Sequence, residues 1–476
     1  MKQKLVLSLI GLFTATMAWA DVEINEENFP DENFRNFLLE QEYGSDGVLT
    51  DAEIADVTSI NVREKNIQSL KGIEYFTALE ILDCAKNQLT SLDVSKNTAL
   101  TKLKCWTNQL MALDVSKNTV LAYLDCYDNQ LTAIDVSKNV ELDTLYIDYN
   151  QLTAVDVSKN TALTALWCGE NLLTSLDVSQ NTALKELACE GNELTTLDVS
   201  QNTALTILDC DFNALTALDV TKNTALETLQ CFYNQLTVLD VTKNTALKIF
   251  YCAYNQLTTL DVTKNTALED LWCGHNPLTG LDVSKNTVLK SLICEGNQLT
   301  SLDVSQNTEL LELYCQDNQL TSLDVSKNTA LTKLSCEINQ LTSLDVTKST
   351  ALTNLDIYQN QIYGENMDAL IAGMPTVTEG YMYALYYENE QNVMTATQAA
   401  AAKAKGWILY ACTGRNEKGH EIWEEYEGVT GIKEICNGPL TTKKVNDAWY
   451  DLRGRRVNSQ LHKGICIVGG KKVIIR

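Results

Sequence analysis

The chain has 476 residues and a formal net charge of −25. Both ends are basic, so residues 21–428 carry −34 of that charge. Such a body lacks the clustered Lys and Arg needed to release counterions from nucleic acid, which excludes nucleic acid as a partner and favours basic or sugar-like ones.

Residues 1–20, MKQKLVLSLIGLFTATMAWA, have a basic start, an apolar run and the small-residue triplet at 18–20. This pattern predicts a secretory signal peptide cut before Asp21. The run is too short for a membrane span, so no transmembrane segment is expected. No cysteine precedes Cys84, which leaves no thiol for a lipid anchor near the cut. The mature chain is expected outside the cell.

Residues 21–59 read as a small helical N-terminal cap, with a helix over 33–42. The stretch 42–53, EYGSDGVLTDAE, matches a calcium loop at Gly47, Leu49 and Glu53. Glu42 and Gly44 stand where two further ligands belong, so a cap without metal is the expectation.

Residues 60–362 repeat. A Leu/Ile/Val-Asp-Val triplet places its Asp at 93, 114, 135 and onward to 345, thirteen times at steps of 21. A second series runs from Asn87 to Asn360, fourteen times at the same step. A period this strict predicts a mainly β solenoid whose turns stack one on another. Each unit has two similar halves. LTSLDVSKN (89–97) and LTKLKCWTN (100–108) both space apolar residues by three and two, then place Asn three further on. One half is expected to form a parallel sheet and the other shorter extended segments on the opposite side. The two asparagines are expected at corners, bonding the backbone of adjacent turns.

Leu100, Leu103, Cys105, Asn108 and Leu110 together resemble the leucine-rich repeat signature, over about residues 60–362. The resemblance implies a right-handed curved coil with its parallel sheet on the concave side. In this chain the third core column is cysteine in twelve copies and isoleucine at Ile147 and Ile357. Isoleucine serves there only if the task is apolar packing, so buried free thiols are expected. No CxxC or Cys/His spacing suits a metal.

The outward positions vary: in the second copy they are Thr101, Lys102, Lys104, Trp106 and Thr107. Of fifteen aromatic residues between 80 and 361, fourteen fall on these positions. They make two groups: Trp106, Tyr123, Tyr127, Tyr146, Tyr149 and Trp167, then Phe232, Tyr233, Tyr251, Tyr254 and Trp272. The same positions hold nineteen Asp or Glu and seven Lys or Arg. Exposed aromatics call for a partner, and Tyr and Trp dominate binding hot spots. Stacking between neighbouring strands is the structural alternative.

Residues 363–428 read as a C-terminal cap, with helices at 365–372 and 397–405 and strands at 381–387 and 407–411. The tail, 429–476, contains WYDLRGRRV, KGICIV and KKVIIR. It resembles the C-terminal sorting domain of the type IX secretion pathway, with Cys466 where relatives carry Tyr. That implies passage across the outer membrane of a Gram-negative bacterium.

The expected function is recognition of a protein partner by a secreted or cell-surface monomer, with glycan binding as the alternative and a structural adhesin behind both. An enzyme is not expected: His275, His420 and His462 lie in separate regions, and no nucleophile motif, phosphate loop or cofactor fingerprint is present.

Overall fold

The computed structural model describes residues 21–428 and, beyond them, the strands Trp449–Tyr450, Arg456–Val457, Gly464–Val468 and Lys471–Ile475. The expected signal peptide and most of the tail lie outside the described residues. The chain falls into two compact units, Met1–Leu176 and Asp177–Arg476.

In the first unit, Val22–Glu23 pairs antiparallel with Val48–Leu49. The helix expected over 33–42 spans 32–39, and a second helix, not expected from the sequence, follows it. Helix α1, Glu32–Leu39, is capped by Asp31, whose carboxylate accepts from the Phe34 amide. The other oxygen of the same carboxylate accepts from the amides of Gln68 and Ser69. One side chain thus ties the helix start to the first coil. Helix α2, Asp51–Asp56, opens on a capping box in which Glu53 accepts from the Thr50 amide and hydroxyl. Glu53 is therefore committed to the helix end.

Parallel strands then run in chain order: Ser59–Asn61, Ile81–Asp83, Lys102–Lys104, Tyr123–Asp125, Thr144–Tyr146 and Ala165–Trp167. The register is one repeat per turn, as in Leu103 opposite Leu124. Leu89, Val94, Leu100, Leu103 and Cys105 are all fully buried, and the same columns are buried in the turns that follow.

The other half of each repeat forms no continuous ladder; among the described residues two isolated parallel bridges join it between turns, Asp93 to Asp114 and Asp324 to Asp345. The Asp of each triplet diverts the chain: Asp93 accepts from the Ser95 amide, and two tight turns follow, from Asn97 N to Val94 O and from Leu100 N to Asn97 O. Local side-chain bonding of this kind competes with a ladder.

The second unit repeats the plan. Nine strands from Glu186–Ala188 to Asn354–Asp356 pair in parallel with the same register. The strict step ends at Asn360, yet the sheet goes on. Gly380–Leu385 and Trp407–Arg415 add in parallel, and Glu421–Glu425 closes the edge antiparallel. Both strands expected there, at 381–387 and 407–411, are present, and a third follows them. Asn392 explains the continuity: it accepts from the Ile362 amide and donates to the carbonyls of Ile357 and Ala384, a corner role at a longer spacing. Helix α3, Glu365–Gly373, and helix α4, Ala396–Lys403, fill the longer connections. Lys405 caps the α3 end by donating to the carbonyls of Ile371, Ala372 and Met374.

Candidate binding face

The corner asparagines set the geometry of the sheet face. Asn255 donates to the carbonyls of Cys231, Cys252 and Ala253 and accepts from the Leu236 amide. The residue before each such Asn is held with positive φ: Tyr149 at 51°, Phe212 at 49°, Tyr233 and Tyr254 at 52°, His275 at 51°. Bulky side chains seldom adopt this conformation. Here the next turn enforces it, as when the Tyr254 amide donates to Gly274 O at 3.0 Å.

The thiols beneath take no part in the face. All thirteen described cysteines are free and buried. Burial pushes the column thiols up; Cys273 rises to about 12. They pack as small hydrophobes and stay protonated.

The sequence-predicted aromatics of the first unit meet in two chains. Trp106 touches Tyr127 at 6.3 Å between ring centres, and Tyr127 meets Tyr149 edge-on at 5.5 Å. Tyr123 meets Tyr146 at 5.8 Å, and Tyr146 lies on Trp167 at 4.6 Å. Cations of this unit already cover some of these rings. Arg63 sits 4.6 Å over Trp106, and Lys102 sits 4.1 Å over Tyr123.

The second group gathers differently. Phe212, Tyr233, Tyr254 and His275 stack nearly parallel, at 4.8, 4.2 and 4.1 Å. Tyr251 stacks on Trp272 at 4.4 Å. Phe232 packs edge-on against Phe212 and Tyr233. The five predicted residues therefore fall into two sets, Phe232, Tyr233 and Tyr254 in one and Tyr251 with Trp272 in the other, and Phe212 and His275 extend the first. Two glycines make the end of the stack fit. A Cβ on Gly296 would lie 2.5 Å from His275 Nδ1, and one on Gly274 would lie 2.9 Å from Glu295 Cγ. Glu295 reaches to 3.4 Å from His275 Nε2. The stack stays partly open: Phe212 is 48% exposed, Tyr233 43% and Tyr254 39%.

Carboxyls interleave with the rings. Asp209 accepts from Gln230, and Asp211 accepts from the Phe232 amide. Burial, then the neighbouring Asp209, pushes Asp211 up to about 9. Burial likewise raises Asp209 and Asp270, and in the first unit it raises Asp148 to about 7 and Asp125 to about 6. Among the described residues no three His, Cys, Asp or Glu side chains converge as metal ligands. No described helix is long and apolar enough to cross a membrane.

A further ring cluster went unread in the sequence. Tyr358 stacks on Tyr386 at 5.4 Å and meets Trp423 at 5.3 Å, and Tyr383 joins Tyr410 and Trp423 at 5.0 Å each. The tyrosine-rich run at 381–387 was its signal. It went unused because the strict repeat that defines outward columns stops before it.

A parallel coil with this repeat, its cysteine column and its corner asparagines defines a class, the leucine-rich repeat proteins. The functional domain of InlJ from Listeria monocytogenes, described as including a cysteine ladder, is similar at 38% identity and a TM-score of 0.74, over 78% of this chain and 82% of that one. The chain belongs to the internalin-like leucine-rich repeat family. Two other solved structures share the fold: the Leptospira interrogans LRR protein LIC12759 (23% identity, TM-score 0.65, 75% and 96% of the two chains) and the internalin InlF of Listeria monocytogenes (22%, 0.57, 78% and 98%). No protein-family model and no curated protein sequence matches the chain.

Proposed function

We propose that this is a secreted or cell-surface recognition protein that binds a protein partner through the aromatic, acidic face of its parallel sheet. The observation that carries the reading is the stack Phe212, Tyr233, Tyr254 and His275. Its inner rings have a neighbour on each face, so the face a sugar would lie on is taken. Ring edges and hydroxyls remain exposed, which suits packing against protein side chains. Export by the leader at 1–20 and sorting by the tail at 429–476, across a Gram-negative outer membrane, belong to the same proposal.

The test is capture of extracellular proteins by the immobilised chain, beside a glycan array, repeated after Tyr251→Ala, Tyr254→Ala and Trp272→Ala together. The expected result is loss of protein capture by about tenfold or more, with the thermal unfolding profile little changed. Binding that survives the triple change, or binding competed by soluble sugars alone, would refute the proposal.

A further inference from the structure

The two ring groups differ in how their surroundings are satisfied. In the first unit Lys86, Lys102 and Lys104 share the outward columns with the rings, and Arg63, Lys86, Lys102 and Lys104 lie over Trp106 or Tyr123. Those rings have their cations already. Between residues 186 and 296 of the second unit, the corresponding columns hold Glu186, Glu190, Asp209, Asp211, Glu227, Glu269, Asp270 and Glu295, against two lysines, Lys248 and Lys290, both in the column of Thr101.

Both lysines are already committed. Lys248 pairs with Glu227 and Lys290 with Glu269, each at 2.7 Å, along the edge column of the face. Among the described residues the only ion partner of Asp209, Asp211, Asp270 or Glu295 is His275, against Glu295. One carboxyl oxygen of Asp270 is buried without a hydrogen bond. Beside these acids lie large exposed apolar groups, including Trp272 at 38% and Ile207 at 38%. An exposed apolar strip bordered by carboxyls that lack counter-charges calls for an occupant with both characters.

Resting on the recognition reading above, we infer that the 186–296 face is the docking surface, and that its occupant is a basic protein segment. Its Lys or Arg side chains meet Asp209 at one end and Asp270 and Glu295 at the other, and its apolar side chains meet the ring edges between. The turn of Asp209 lies three turns from that of Asp270, about 14 Å at ordinary strand spacing. An extended segment covers that in about four or five residues, so its basic residues stand about that far apart around an apolar one.

The experiment is selection of a displayed random 12-residue peptide library on the full chain, followed by anisotropy with the selected peptides made synthetically and labelled. The expected peptides are net positive, with Lys or Arg at that spacing. Their affinity falls about tenfold on Trp272→Ala and on Asp270→Asn with Glu295→Gln, weakens between 50 and 300 mM salt (roughly one to two Debye-length halvings), and is unmoved by Asp303→Asn on the far side of the repeat. Neutral or acidic peptides that still lose affinity on Trp272→Ala would leave protein recognition standing and overturn the basic occupant. Affinity that falls on Trp106→Ala but not on Trp272→Ala would overturn the choice of face. No enrichment, or peptides indifferent to every ring substitution, would overturn both.

Discussion

Asp211 shows how a single side chain on the sheet face trades charge for position. Its carboxyl accepts from the Phe232 amide and sits beside Asp209, with burial holding its proton on to about pH 9. The folded value lies above the unfolded one, so the stability it lends is complete below about pH 4 and is lost as pH rises toward 9. Asp211→Asn keeps the acceptor and removes the charge. Urea midpoints are expected to match wild type at pH 4 and to exceed it increasingly up to pH 9. Of this residue the sequence revealed the outward column and the acidity. It did not reveal the proton, because burial depends on how far Phe232 and Gln230 of the next turn lean over it. The same limit hid His275, which read as an isolated histidine until Gly296 gave its ring a place to lie.

One coil is organised by its corner. Asn255 alone serves four backbone groups drawn from two turns. Asn255→Ala strands those groups in the interior, at about 1–3 kcal/mol for each one left unpaired. The expected loss is about 3 kcal/mol or more by urea unfolding, whereas Asp261→Ala at the exposed bend of the same repeat is expected to cost under about 1 kcal/mol. Periodicity exposed these corners plainly, since an Asn fixed at every step of 21 has a structural duty. It did not reveal how short the pairing is in the opposite half of each repeat. LTSLDVSKN has the same apolar spacing as the strand half, but the Asp inside it takes the Ser amide two residues on, and the chain turns directly after it, leaving isolated bridges instead of a ladder. Apolar spacing alone does not separate a strand from a bend when a side chain offers the backbone another partner. Beyond Asn360 the reverse occurred: Asn392 keeps the corner at a spacing that periodicity does not detect.

At the scale of the whole chain, stability is a sum over turns that touch only their neighbours. Removing residues 298–318 takes out one period and rejoins Asn297 to Gln319, so every column stays in frame. That variant is expected to fold, with a cooperative melt within a few degrees of wild type. Removing only residues 298–304 strips Leu299, Leu302 and Val304, all buried, from a single turn. Its melt is expected to broaden or split, and circular dichroism during heating would distinguish the two. A copy rule this forgiving shows why most of the fold was readable from the letters: the same neighbour relation is written out again every 21 residues. The outward surface has no such redundancy, and each of its contacts occurs once. The cysteine column carries a consequence for how the chain comes into being. Before the turns stack, a dozen evenly spaced thiols are open to any oxidant, and cross-links among them would lock the wrong residues together. Once stacked, they are sealed and protonated. Manufacture of this protein is thus a race between collapse and oxidation, and a cell wins it by keeping the nascent chain reduced until the ladder has closed.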